Sequence, residues 1–238
     1  MLTIGMLGGM SWESTAEYYR LANLSVGARL GGLHSADLLL RSVDFAEIEE
    51  LQVTGQWDLA GERLAHEARR LQEGGAGLLL LCTNTMHRVS DAIEAALEIP
   101  LVHLAETTAD AVLATPARRV GLLGTAFTME QPFYRERLEA RGLEVMVPDQ
   151  DDRALVHRVI YDELCRGRFT DRSRAAYREV IARLVDRGAD GVVLGCTEIE
   201  LLLPGREPVG VPLFATTTIH VEAAVELAVG GASAGSGG

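Results

Sequence analysis

Two short segments each set a thiol beside a hydroxyl and a further polar side chain. The first is Cys82-Thr83-Asn84-Thr85-Met86-His87, and the second is Gly195-Cys196-Thr197-Glu198. Each closes an apolar run, Gly77–Cys82 or Gly191–Cys196, and precedes a helical stretch. Open α/β sheets bind ligands beyond the carboxyl ends of their strands. Helix N-terminal amides at such ends suit a carboxylate ligand. A thiol there is expected to have a lowered pKa and to serve as base or nucleophile. A lone cysteine of this kind reads as a small buried hydrophobe. Two matching Cys/Thr ends point to chemistry instead.

Other chemistries fit less well. Cys82 to Arg88 spells C-x5-R between a strand and a helix, the outline of a phosphatase loop with Cys82 as nucleophile and Arg88 as phosphate clamp. That loop holds no glycine to let backbone amides converge on phosphate. Gly5 to Gly9 reads G-x-x-G-G, which is not a dinucleotide fingerprint. No His-x-x-x-His or Cys-x-x-Cys spacing marks a metal site. All 22 basic residues are arginine. Without lysine, neither a pyridoxal phosphate Schiff base nor a P-loop is possible.

The elements that must position these segments alternate. Strands are expected over Thr3–Leu7, Ala36–Ser42, Gly77–Cys82, Pro100–Leu104, Arg119–Gly124, Leu143–Val147, Gly191–Gly195 and Val211–Phe214. Helices fit between them, among them Ser14–Leu30, Trp57–Gly74, Asp151–Arg166, Asp171–Gly188 and Thr216–Val229. In Asp171–Gly188, Val180, Ile181 and Leu184 share one side. Asp171 is the expected N-cap and Gly188 the C-terminal stop. This alternation predicts a parallel α/β architecture.

The chain also repeats itself. Ile4-Gly5-Met6-Leu7-Gly8 resembles Val120-Gly121-Leu122-Leu123-Gly124, and Arg70-Leu71 with Gly75-Ala76 recurs as Arg183-Leu184 with Gly188-Ala189. Duplication into two lobes explains this. Without a gap the repeat sets Thr83 opposite Cys196; a one-residue gap would set Cys82 there. Symmetry alone leaves both open. The expected lobes are 1–110 with 212–229, and 111–211, followed by a disordered Gly/Ser/Ala tail at 230–238.

Composition narrows the partners. The net charge of −12 opposes phosphate tracking, so neither nucleic acid nor an anionic membrane is an expected partner. A locally positive site for a small anion remains compatible with that charge. No apolar run approaches the length of a membrane span. Three widely spaced cysteines and an N-terminus without a basic leader predict free thiols and a cytoplasmic protein.

Gly8-Gly9-Met10-Ser11-Trp12-Glu13-Ser14-Thr15, Thr83-Asn84-Thr85-Met86-His87, Gly124-Thr125 and Gly195-Cys196-Thr197-Glu198 together resemble the aspartate/glutamate racemase family. The likeness covers roughly residues 2 to 228, and is nearest the bacterial L-Asp/Glu-specific or broad-specificity amino-acid racemases. It implies two Rossmann-like lobes with parallel sheets, an active site in the interlobe cleft, a homodimer and no cofactor. The ligand implied is a small amino acid or dicarboxylate. Two departures stand out. The family's Cys-Asn-Thr-Ala-His reads Thr83-Asn84-Thr85-Met86-His87 here, so its first catalytic cysteine falls on Thr83. Cys82, one residue early, is expected to point the other way. A family lysine near the substrate carboxylate falls on Cys165, so an arginine, with Arg41 as the candidate, or backbone amides would hold the distal carboxylate.

The chemistry implied is α-proton abstraction. Cys196 is the expected base, with Thr83 as its partner on the opposite face. A hydroxyl can donate a proton but hardly serves as a base near neutral pH. Met10 and Ser11 amides, with Asn84, Thr85, Thr125 and Thr197, are the candidate donors to a carboxylate and its developing charge. Glu198 either binds the ammonium, tunes Cys196, or simply meets a helix macrodipole. His87 either assists Thr83 or is structural; His103 and His220 read as structural. The alternatives are a maleate isomerase or decarboxylase type of reaction in the same cleft, the Cys82/Arg88 phosphatase, and a non-catalytic amino-acid binder.

Overall fold

A computed structural model describes residues 1–203 and 209–230. The elements run β1 (Ile4–Gly8), α1 (Trp12–Leu30), β2 (Leu38–Ser42), α2 (Phe45–Val53), α3 (Trp57–Glu73), β3 (Leu78–Leu81), a 3-10 turn Thr85–Val89, α4 (Ser90–Glu94) and β4 (Leu101–Val102). Then follow α5 (Leu104–Leu113), β5 (Arg119–Gly124), α6 (Ala126–Glu130), α7 (Pro132–Ala140), β6 (Glu144–Met146) and α8 (Gln150–Asp162). A 3-10 turn Leu164–Arg166, α9 (Asp171–Asp186), β7 (Gly191–Gly195), α10 (Thr197–Leu202), β8 (Leu213–Ala215) and α11 (Thr216–Gly230) complete the chain. The expected tail falls, beyond Gly230, outside the described residues.

Two four-stranded parallel sheets form, ordered β2-β1-β3-β4 and β6-β5-β7-β8. The orders correspond strand for strand, as duplication predicts. Contacts divide the chain into one unit of residues 1–103 with the chain from 220 onward, and a second of 104–219. These limits differ from the expected 110/111 and 211/212 boundaries. Leu104, Ala105, Ala109 and Val112 of α5 join Tyr134 and Leu138 of α7 in one core, which assigns α5 to the second unit.

Both strands of each central pair are buried on both faces, so they read as continuous apolar runs. In the first unit, Leu79 and Leu81 face α2 and α3, while Leu78, Leu80 and Cys82 face α1 and α11. In the second, Val192, Leu194 and Cys196 face α8 and α9, while Val193 faces α5 and α7. Ladder register resolves the ambiguity of the repeat. Leu7 pairs with Leu81, and its counterpart Leu123 pairs with Leu194. Counting on from Leu81 and Leu194, Cys82 matches Gly195 and Thr83 matches Cys196.

Helix starts are locally encoded. Ser11 caps α1 by accepting from the Ser14 amide, and Thr125 caps α6 by accepting from Thr128. For α9 the cap is Thr170, accepting from Ser173, rather than the expected Asp171, which lies in the first turn and meets the macrodipole there. Gly188 does end this segment, with φ of 100°.

The turn after β1 is held by Thr15. Its hydroxyl accepts from the Gly9 amide at 2.8 Å and donates to the Ser11 carbonyl at 2.8 Å. Gly9 has φ of 95°, and a Cβ there would lie 2.2 Å from the Val43 carbonyl oxygen. Gly9→Ala is therefore expected to destabilise the protein by roughly 2 kcal/mol or more. Urea unfolding checks this; an unchanged midpoint would contradict the close approach.

Candidate functional site

Parallel strands place their carboxyl ends on one edge of each sheet, and the polar segments begin there. In the second unit, Gly124 pairs with Gly195. The next residues, Thr125 and Cys196, thus leave neighbouring strands at the same level. Cys196 is the N-cap residue of α10 and is buried, with 7% of its surface exposed. Its thiol donates to Glu198 Oε2 at 3.0 Å.

The electrostatics correct one expectation. The Cys196 thiol is pushed well above its ordinary range, first by burial and then by the Glu198 carboxylate. The Glu198 amide of the helix start stabilises the thiolate, but these two effects outweigh it. At neutral pH Cys196 rests as a thiol whose proton points at Glu198. Tyr177 lies fully buried in the same core, its hydroxyl donating to the Val156 carbonyl at 2.9 Å.

Thr197 is buried, and its hydroxyl accepts from Thr217 at 3.0 Å. Thr216 donates to the Leu194 carbonyl at 2.9 Å, and the Thr217 amide donates to Glu200 Oε1 at 2.6 Å. The first turn of α11 is thereby fastened to the segment that carries Cys196. Sequence reasoning missed Glu200, because its role depends on a partner 17 residues away.

In the first unit, Thr83, Asn84 and Thr85 are buried at the end of β3. His87 is buried too, and its Nδ1 donates to the Thr83 carbonyl at 2.7 Å. His103 packs edge-on against it at 4.6 Å and His220 at 5.7 Å between ring centroids. His220 Nε2 donates to the Val102 carbonyl at 2.6 Å, and its Nδ1 accepts from Tyr18 at 2.9 Å. Burial lowers the His220 pKa to about 4. The three imidazoles therefore form one cluster behind the Thr83 segment. Of the helix-start residues, Met10 is buried in the core beneath α2 and α3, and Ser11 caps α1.

Two sequence candidates are placed elsewhere. Arg41 Nε meets Glu67 Oε2 at 2.5 Å, and Arg63 and Arg70 hold the same carboxylate. Glu67 is buried, and the Arg41 hydrogen bond leads in holding its carboxyl below the usual range. Arg41 is thus committed to a structural ion cluster on the α3 face, and the distal-carboxylate role does not follow from its geometry. Cys82 is fully buried and continues the Leu78-Leu80 row into the core under α1 and α11. Burial alone pushes its thiol far up. Arg88 stacks 4.3 Å over the Trp57 ring. The phosphatase arrangement is not formed.

Sequence reasoning also missed His157, Tyr161 and Phe127. Thr125 leads into α6, and the Ala126 amide donates to His157 Nδ1 at 3.1 Å. His157 packs against Phe127 and Tyr161. The four-residue spacing of His157, Tyr161 and Cys165 was the available signal.

The family model described as Asp/Glu/Hydantoin racemase matches residues 7–224. The chain belongs to that family. It is 50% identical to a candidate Asp/Glu racemase from Yersinia pestis, covering 96% of this chain and 100% of that one with a TM-score of 0.89. An aspartate racemase homologue from Pyrococcus horikoshii is 31% identical over 96% of this chain and 100% of that chain, with a TM-score of 0.82. Glutamate racemase of Pseudomonas aeruginosa is 28% identical over 135 residues, 56% of this chain and 49% of that protein. The chain spans about half the length of the curated relatives it matches first. Among the described residues no cluster of metal-ligating side chains forms, and no helix is long and apolar enough to cross a membrane.

Two predictions follow from these electrostatics. Glu198→Gln removes the carboxylate charge beside Cys196, so the thiol pKa is expected to fall and alkylation by iodoacetamide to accelerate at pH 8. An unchanged pH profile would separate Glu198 from the thiol. Burial pushes the Glu200 carboxyl up to about 8 from an ordinary 4.5. The folded state then holds more protons between those values, so Glu200 contributes a loss of stability as pH rises through the window. Glu200→Gln is expected to flatten that slope in thermal unfolding measured from pH 5 to 8; a slope equal to wild type would contradict it.

Proposed function

We propose that this protein is a cofactor-independent amino-acid racemase, acting on aspartate, glutamate or a related amino acid by α-proton transfer. The observation that carries this reading is the buried Cys196 thiol, its proton held by Glu198 at the end of a parallel strand. Family membership and the racemase names among its relatives support the reaction class.

In this reading Cys196 exchanges a proton with the α-carbon on the face of the L-enantiomer. The bound substrate's ammonium group offsets the Glu198 charge, which brings the thiol pKa down when the base is needed. Glu198 takes up the thiol proton as Cys196 becomes the thiolate. Thr83 serves the opposite face as a proton donor, supported by the His87 bond to its carbonyl. Neutral donors at the strand ends, Asn84, Thr85 and Thr125, meet the substrate carboxylate as enediolate-like charge develops.

The two faces are unequal. Thr83 replaces a thiol, and Thr85 stands where the register would call for the counterpart of Glu198. Individual turnover numbers for the two enantiomers are expected to differ, while their kcat/KM values remain tied by the equilibrium constant of one. Chiral chromatography of L- and D-amino acids tests this. Cys196→Ala is expected to lose about 10²–10⁴-fold in rate, and Cys82→Ala to retain turnover in both directions. Equal kcat for both enantiomers, or a Cys196→Ala enzyme with wild-type rates, would overturn the proposal.

A further inference from the structure

At the strand ends of the first unit, one buried amide takes no part in the reaction proposed above. β2 ends at Ser42, and the Val43 amide donates to the Gly8 carbonyl of β1 at 3.0 Å. α2 starts two residues later. Its two buried residues, Ile48 and Gln52, stand one turn apart and share its inward face. Ile48 joins Met10, Val43 and Met86 in one core. Gln52, with 4% of its surface exposed, reaches the segment that carries Thr83: its Nε2 donates to Met86 Sδ at 2.9 Å. Its Oε1 is buried and accepts no hydrogen bond among the described residues.

This amide is destabilising where it stands. A thioether is a weak acceptor, and a buried amide oxygen without a donor forfeits its hydration for nothing. Leucine or methionine would fill the same helix position beside Ile48 without that penalty. A polar group kept against stability is the pattern of a residue held for a ligand. Its place fits one. β2, β1 and β3 are parallel neighbours, and beyond their carboxyl ends lie α2, the Gly9–Ser11 turn and the Thr83–Thr85 segment. Thr83, Asn84 and Thr85 are buried as Gln52 is. Asn84 and Thr85 are assigned to the substrate carboxylate as donors. An amino acid also brings an ammonium, whose three N–H groups need acceptors.

We infer that Gln52 is a binding residue of the amino-acid site, its Oε1 accepting from the substrate's α-ammonium while Met86 holds its Nε2. This rests on the racemase reading, which it deepens by naming an acceptor for the ammonium group. The Met86 contact fixes the amide: exchanging its two ends would set oxygen against sulfur, acceptor against acceptor. With the nitrogen committed, the oxygen is the atom that meets the ligand.

The test pairs L-aspartate, L-glutamate and L-methionine with analogues that lack the amino group: succinate, glutarate and 4-(methylthio)butanoate. Binding is measured by titration calorimetry on Cys196→Ala protein, which removes turnover, with and without Gln52→Leu. Gln52→Leu is expected to weaken the best-bound amino acid by about tenfold. Its analogue is expected to change by less than about twofold, and the unfolding midpoint to stay level or rise. Should that variant fold poorly, Gln52→Met replaces it with an unbranched apolar chain. Unchanged affinity for the amino acid would overturn the inference. So would equal weakening of amino acid and analogue, the result for an amide that only packs or binds internal water. Gln52-dependent binding without α-proton exchange in the wild type would overturn the racemase reading and leave the contact standing. Absence of binding by all three amino acids would overturn both.

Discussion

A thiol proton held by a carboxylate inside a buried strand end is the constraint on which the account depends. Cys196 is costly to ionise where it stands, because water is excluded and Glu198 already carries the local negative charge. The resting protein therefore holds Cys196 in its protonated form. A ligand that brings a positive charge changes the balance, and an α-amino acid carries that charge next to the bond to be broken. In the proposed reaction, burial, the Glu198 carboxylate and the ammonium of an amino-acid substrate would form one electrostatic system.

The surrounding fold serves to hold that system still. Gly195 ends a strand paired on one side by β5 and on the other by β8. Thr216 and Thr217 at the head of α11 fasten the Leu194 carbonyl and Thr197 hydroxyl, and Glu200 receives the Thr217 amide. The first unit repeats the strand order but not the chemistry. Its matching position is Thr83, its neighbouring thiol is turned into the core, and imidazoles stand behind it. The two strand orders correspond, whereas the residues at the two strand ends differ.

Much of the fold was legible because apolar runs of strand length alternate with helical periodicity. The strand ends were legible because one run breaks into Cys82, Thr83 and Asn84 and the other into Cys196, Thr197 and Glu198. Helix caps and domain limits were less so, since Thr170 and Asp171 are both good capping residues and α5 belongs wherever Tyr134 and Leu138 lie. The choice between Cys82 and Thr83 needed the ladder register, because a one-residue slip reverses the facing of a strand. The Arg41–Glu67 ion pair was not legible, because Glu67 lies 26 residues away on another element. The direction of the Cys196 pKa was misread for a related reason. Helix position is visible in a sequence, whereas the depth of burial and the aim of Glu198 are tertiary facts. His157 was overlooked because its spacing is visible but its partner, the Ala126 amide, is not.

The central claim, that Cys196 moves the α-proton of an amino acid, is tested most directly by proton NMR in D₂O. Wild-type and Cys196→Ala proteins would be incubated with a panel of L-amino acids while the α-hydrogen signal is followed. If Cys196 moves that proton, the signal of at least one amino acid decays with wild type and persists with the variant. Equal decay with both proteins, or no decay with either across the panel, would contradict it.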